Sequence, residues 1–290
     1  MPAVQRISSR NARFQQWESF LANRNKRTRA GEFLVQGVRP ISLAVEHGWT
    51  IRSVIHDAER PLSRWAENLL RVTGAERVAM SAGLLGDLGE KSEDAPEVVA
   101  VVEMPADDLG RIEVGVDFLG VAFDRPTSPG NIGSIIRSAD AFGADGFIVA
   151  GHAADVYDPK AVRASTGSLF AVPSVRVPAH RDVVEWVAAQ RAQGTPIALV
   201  GADEGGDCDI FDFDFTRPTL LVIGNETSGL SNAWRAACDH IVSIPMVGAA
   251  SSLNAANAAT AVLYEVSRQR IAAGRTADAP VRVPPQAVRP

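Results

Sequence analysis

Ile244-Pro245-Met246-Val247-Gly248-Ala249-Ala250-Ser251-Ser252-Leu253-Asn254 is the stretch whose reading decides the fold. The apolar run at 239–244 predicts a strand, and the alanine-rich run that follows, to about Arg270, predicts a helix. A strand, a tight loop of small residues and a polar helix start in direct succession gather backbone N–H groups and short side chains at one crevice. The same pattern also suits a plain strand-to-helix connection with a serine N-cap. Two earlier stretches are built to meet it.

The first is Phe123-Asp124-Arg125-Pro126-Thr127-Ser128-Pro129-Gly130-Asn131-Ile132-Gly133-Ser134-Ile135-Ile136-Arg137. A strand ends, a Pro-Gly turn follows, and Asn131 stands where an N-cap is expected. Gly133 falls in the first turn, where a missing side chain admits another backbone or a nucleotide. Arg137 either pairs with Asp124 or Asp140, or is aimed at phosphate or ribose from a helix start that faces an anion. The second stretch is Leu220-Leu221-Val222-Ile223-Gly224-Asn225-Glu226-Thr227-Ser228-Gly229-Leu230-Ser231. A carboxylate at the end of a buried strand is costly unless paired. Loops at the C-terminal edge of a parallel sheet are also where ligands bind.

Composition narrows the classes. The chain has 290 residues, 46% hydrophobic and 22% charged, enough for two domains with separate cores. No apolar run reaches the length of a membrane helix, and the polar first residues are no signal peptide. Cys208 and Cys238 stand apart, so a reducing cytoplasm is expected, with no disulfide and no metal. No G-x-G-x-x-G follows a predicted strand, no Gly-rich loop ends in lysine, and there is no H-E-x-x-H. Whatever the three loops hold must be bound by glycine, backbone amides and a few polar groups. The net charge of −5 is uneven, because residues 1–40 carry Arg6, Arg10, Arg13, Arg24, Lys26, Arg27, Arg29 and Arg39 against only Glu18 and Glu32. A basic arm on an acidic body is the footprint of an RNA or DNA contact, or else a solvated helix face.

Taken in order, residues 5–30 predict one basic helical stretch, with Phe14, Trp17, Phe20 and Leu21 on its apolar stripe. Strands are expected at 32–37, 51–55 and 98–102, and helices at 39–47 and 62–71. His47 and His56 are isolated. After a linker at 105–115, strand-like and helical runs alternate to about 273, with near-continuous apolar strands, as in a parallel sheet covered on both faces. Residues 274–290, proline-rich and poor in large apolar groups, predict a disordered tail.

Together, Asn131-x-Gly133-x-x-x-Arg137, Gly224-Asn225-Glu226, and Ile244-Pro245-Met246 with Ser252-Leu253-Asn254 resemble the three motifs of the SpoU/TrmH (SPOUT) family of RNA ribose 2′-O-methyltransferases. Residues 1–104 are similar to that family's L30e-like substrate-binding domain. Ser9-Arg10-Asn11-Ala12-Arg13-Phe14 and the 124–131 segment look like its actinomycete avilamycin-resistance branch, which methylates a uridine ribose in 23S rRNA. The resemblance implies an α/β fold with a parallel sheet and a deep trefoil knot over 116–273. It implies S-adenosylmethionine as cofactor and a cytoplasmic homodimer packed through the knotted domains. It assigns catalysis to Arg137, with Asn131, Glu226, Ser252 and Asn254 positioning ribose and loops. Cofactor contacts are expected from Gly224, Asn225, Ile244, Met246, Gly248 and Leu253, and RNA contacts from Arg10, Arg13, Arg24, Lys26, Arg27 and Arg29. Methylation of a tRNA guanosine or another rRNA site, and a non-catalytic RNA-binding module, remain the alternatives.

Overall fold

Phe14, Trp17 and Phe20 do close on a core, but the basic stretch that carries them is not one helix. In the computed structural model, which describes residues 4–90 and 95–274, it splits into strand β1 (Gln5–Ile7) and helices α1 (Ala12–Ala22) and α2 (Arg24–Ala30). Asparagines make the breaks. Asn11 accepts from Phe14 N at 3.0 Å and Asn23 from Lys26 N at 3.1 Å, so each starts a helix by satisfying an orphan amide. Gly31 ends α2 at φ 66, a left-handed turn that suits a residue without Cβ.

The first unit continues through β2 (Glu32–Gln36), α3 (Val38–Glu46), β3 (Ile51–Asp57), α4 (Arg64–Thr73), β4 (Glu76–Met80), α5 (Ala82–Leu88) and β5 (Val98–Glu103). Its five strands lie in the order β1-β4-β3-β5-β2, with β5 antiparallel to both neighbours. The sequence pattern did not announce β1, β4 or α5: β4 opens with Glu76 and Arg77, and α5 contains Gly83 and Gly86. Phe14, Phe20, Ile55, Val78, Met80 and Val99 fill the core.

The second unit holds β6 (Leu119–Asp124), α6 (Pro129–Ala141) and β7 (Gly146–Ala150), and the chain then passes through α7 (Pro159–Ser165) and α8 (Ser168–Ala171). Then come β8 (Ser174–Val177), α9 (His180–Ala192), β9 (Ala198–Ala202), the two-residue β10 (Cys208–Asp209), β11 (Thr219–Ile223), α10 (Asn232–Ala237), β12 (His240–Ser243) and α11 (Ala255–Ala272). The sheet is parallel throughout, in the order β10-β12-β9-β11-β6-β7-β8, and every residue of β6, β7 and β11 is buried. Apolar runs on both faces of these strands are what dictated this sheet.

Two boundaries differ from the sequence reading. Tyr157–Ala171, with α7 and α8, groups with the first unit rather than with the sheet on either side of it. There Phe33 meets Tyr157 with ring centroids 4.8 Å apart, and Trp49 Nε1 donates to Phe170 O at 3.0 Å. The expected linker at 105–115 is no free tether. Ile112 is buried in the second unit's core, Arg111 donates to Ser174 O at 3.1 Å, and Asp107 accepts from Arg176 Nε at 2.9 Å. Of the expected tail, residues 275–290 lie outside the described residues.

Candidate active site

The N-cap of α6 is Ser128, whose Oγ accepts from Asn131 N at 3.3 Å, so Asn131 is not the cap that the sequence suggested. Its side chain is therefore available for longer-range work. Asn131 Nδ2 donates to Glu226 Oε1 at 3.1 Å, and its Oδ1 accepts from Asn254 Nδ2 at 3.1 Å. One amide thus joins all three motif stretches. Glu226 also accepts from Thr127 N at 2.9 Å, Thr127 Oγ1 at 3.1 Å and Ser128 N at 3.0 Å. Partial burial pushes this carboxyl's pKa up, but the amides of Thr127 and Ser128 and the Asn131 side chain outweigh it and hold it below the usual carboxylate value. Glu226 is an anion that clamps the loop ahead of α6, with its acceptor capacity used.

Asn225, which lines the same cavity, is engaged in the same way. Its Nδ2 donates to Arg125 O at 2.7 Å, while its Oδ1 accepts from Thr227 N at 2.9 Å and Ser228 N at 3.1 Å. Its backbone exchanges hydrogen bonds with Gly229 at 3.0 and 2.9 Å. Asn225 therefore builds the crevice wall. Arg125, at φ 44, is held by that bond and by a fork to Asp124 at 3.0 and 3.1 Å. Asp124 is consequently the partner of Arg125. Arg137 lies exposed on α6 with no hydrogen-bond or ion-pair partner among the described residues.

Gly224 is required by a close crossing: a Cβ there would lie 2.4 Å from Gly229 C and Leu230 N, both backbone. The third stretch opens α11 through Asn254, not serine, with Oδ1 accepting from Ala256 N at 2.9 Å and Asn257 N at 3.4 Å. Ser251 and Ser252 lie exposed on the loop before it.

These elements enclose a cavity of about 430 Å³, lined among others by Gly224, Glu226, Ile244, Met246, Ser252 and Leu253. That is the size of a small-molecule site. Gly248 is exposed and is not among the lining residues. The sequence reading missed Asp203, Glu204 and Arg235, which do. Asp203 Oδ1 pairs with Arg235 Nη2 at 2.5 Å. The signal was present: β9 runs from apolar residues straight into Asp203-Glu204, as β11 runs into Gly224-Asn225-Glu226.

The lining carries three carboxylates and one guanidinium. That balance disfavours a nucleotide with phosphates and suits a nucleoside bearing a cationic centre. The apolar side chains of Ile244, Met246 and Leu253 offer a purine its surface. S-adenosylmethionine fits this set of groups. Among the described residues, no three His, Cys, Asp or Glu are grouped to hold a metal ion.

The basic arm divides. Arg27 is buried at 2% exposure, donates to Phe20 O and pairs with Asp158 at 3.6 Å, so it is a core strut and not the RNA contact expected of it. Arg13 is half-buried, bonded to Glu76 at 2.6 Å, and lies over Trp17. Arg10 bridges Glu18 and Asp87 above the ring of Phe14. Arg24, Lys26 and Arg29 are exposed.

Comparison with known proteins agrees with this geometry. Residues 11–100 match the SpoU L30e-like domain, and residues 119–264 match the SpoU rRNA Methylase family. The 23S rRNA (uridine(2479)-2′-O)-methyltransferase of Streptomyces viridochromogenes is 73% identical over 279 residues, covering 96% of this chain and 97% of that one. The crystal structure of the SpoU methyltransferase AviRb from the same organism, in complex with AdoMet, superposes with a TM-score of 0.87 at 74% identity, over 90% of this chain and 99% of that one. An AdoMet-bound rRNA methyltransferase from Sinorhizobium meliloti gives 0.81 at 29% identity, over 91% and 98%. With one amide binding its three signature loops at the mouth of a nucleoside-sized cavity, this chain belongs to the SpoU rRNA methylase family.

Proposed function

We propose that the protein transfers the methyl group of S-adenosylmethionine to the ribose 2′-oxygen of a uridine in 23S rRNA. The observation that carries this is 73% identity, over nearly the whole of both chains, to an enzyme named for that reaction. When bound, S-adenosylmethionine supplies an electrophilic methyl group on a sulfonium. The chain's own residues must do the rest. A 2′-hydroxyl is a poor nucleophile at neutral pH, so the site has to favour its alkoxide. Arg137 is the assigned group: a guanidinium offers donors and charge but no acceptor, so it acts by stabilising the developing negative charge while the 2′-proton leaves to solvent. Asn131, Glu226 and Asn254 hold the loops together, and Ser252 lines the cavity.

The reading extends to a homodimer packed through the second unit. Tyr264 and Ile271, 59% and 54% exposed on α11, support it, since large apolar groups there suit a protein partner. Arg137, exposed on α6, is then completed by the partner subunit. A trefoil knot formed by the segment ending in α11, a cytoplasmic setting with the ribosome, and protection against a ribosome-targeting antibiotic belong to the same proposal. No helix among the described residues is long and apolar enough to cross a membrane. RNA contacts fall to Arg24, Lys26 and Arg29, which are exposed on α2.

The test is transfer of labelled methyl from S-adenosylmethionine to isolated 23S rRNA and to total tRNA, with the position mapped by primer extension at low nucleotide concentration. Label in 23S rRNA at one uridine is expected. Label in tRNA alone would move the substrate, and label in neither would leave an RNA-binding module.

A further inference from the structure

The cavity has four charged residues in its lining, and three are already committed. Glu226 clamps the loop ahead of α6. Asp203 is paired with Arg235 at 2.5 Å and accepts from Gly205 N at 3.1 Å, and that pair occupies Arg235 in turn. Glu204 is exposed and has no hydrogen-bond or ion-pair partner among the described residues. It is the uncommitted carboxylate of the site.

Its place in the sheet gives it a task. β9 and β11 are parallel neighbours, with Ala202 opposite Ile223, so Asp203-Glu204 and Gly224-Asn225 leave the same edge side by side. In doubly wound folds that bind nucleosides, a glycine loop follows one strand, and an acidic residue at the end of the neighbouring strand accepts from the ribose hydroxyls. Here the order of strands is different, but the juxtaposition of Gly224 and Glu204 at one cavity is the same. A carboxylate is acceptor-only, and a ribose diol offers two donors. We infer that Glu204 is the ribose-binding residue of the cofactor site, its carboxylate accepting from the 2′- and 3′-hydroxyls of the adenosine. Asp203, tied to Arg235, is the positioning residue that fixes the chain one step before it.

This inference rests on the methyltransferase reading, and binding measurements separate the two. Titration calorimetry of the full-length protein uses two probes: S-adenosylhomocysteine, and 5′-methylthioadenosine, which keeps the ribose but lacks the amino-acid moiety. Glu204→Ala is expected to weaken both about ten- to hundredfold, the loss of hydrogen bonds to a charged acceptor. The melting temperature of the ligand-free protein should stay that of wild type, because Glu204 supports no other side chain. Weakening of S-adenosylhomocysteine alone would place Glu204 at the amino-acid end and overturn the assignment. Equal binding by wild type and variant would also overturn it. If wild type itself bound neither probe, the methyltransferase reading would fall first.

Discussion

Asn131 and Asn254, 123 residues apart in the chain, are joined by a hydrogen bond of 3.1 Å from Asn254 Nδ2 to Asn131 Oδ1. The same Asn131 side chain gives its amide hydrogen to Glu226, so a helix start, a strand end and the cap of α11 share one residue. An amide can do this because it both donates and accepts. Neither a carboxylate nor an ammonium could serve both neighbours.

Asn131→Ala should therefore loosen three loops at once. It leaves Glu226 one donor short and the Asn254 amide without its acceptor, for a stability cost of about 1 kcal/mol. The methylation rate should fall at least tenfold, because the loops around the reacting groups lose their common fixture. Asn131→Asp should be worse, since it sets a second carboxylate against Glu226. Single-turnover methyl transfer and thermal melts measure the two effects; a wild-type rate in Asn131→Ala would mean the junction is incidental.

Glu226 predicts an acid limb. Its folded-state carboxyl lies below the ordinary 4.5. A group with a depressed folded pKa contributes stability above its unfolded value, and that contribution is lost as pH falls through the folded one. Loop order and cofactor affinity should thus hold from neutrality to about that ordinary value and then decline together. Glu76, Asp214 and Glu265 are depressed as well, so the informative quantity is the difference between wild type and Glu226→Gln. The variant should bind S-adenosylhomocysteine more weakly at neutral pH, and the gap should close as the pH falls below the ordinary carboxylate value and through the lower folded one. A gap that stayed constant with pH would rule out the ionised clamp.

The strands and motif loops were legible because each apolar run ends abruptly in a polar residue, as at Ile223-Gly224-Asn225-Glu226. The caps were not. Ser128 and Asn131 stand within one turn of each other, as do Ser252 and Asn254, and all are competent caps, so only the fold could choose between them. Nor did the sequence reveal that Arg27 is buried, because its partner Asp158 lies far along the chain in a segment that folds onto the first unit. A charge run looks the same whether its members face water or a carbonyl. Glu204 was legible in principle, since its strand-then-acid pattern repeats that of Glu226.

The division of the basic arm is testable by stability and salt dependence together. Arg27→Ala leaves a buried carbonyl and Asp158 without their partner and should cost about 3 kcal/mol. Lys26→Ala and Arg29→Ala should leave the melting temperature unchanged but weaken rRNA binding and flatten its dependence on salt. Filter binding at several salt concentrations, beside melts of each variant, distinguishes the classes. If Arg27→Ala kept full stability and lost only RNA affinity, the strut assignment would be wrong.

Arg270 is the anchor of α11, and its removal should expose how the second unit is closed. It is 9% exposed, and its guanidinium donates to the carbonyls of Asp117 at 2.8 Å and of Phe118, Phe215 and Arg217 at 3.1 Å each. Gln269 adds a bond from Phe215 N at 2.9 Å and one to Phe213 O at 3.0 Å. The far end of the helix whose cap is Asn254 is thus stitched to the loops at the start of β6 and β11. Arg270→Met keeps most of the buried volume and removes every donor, leaving those carbonyls a donor short, for a loss of about 2–4 kcal/mol. Arg217→Ala, whose side chain forms a solvent-exposed ion pair with Asp214 at 3.9 Å, should leave the urea midpoint near that of wild type. Because Arg270 sits at the opposite end of α11 from the cavity, S-adenosylhomocysteine affinity of the folded Arg270→Met protein should be unchanged. A variant that unfolded at the wild-type midpoint would show that packing alone, without these four bonds, holds the helix in place.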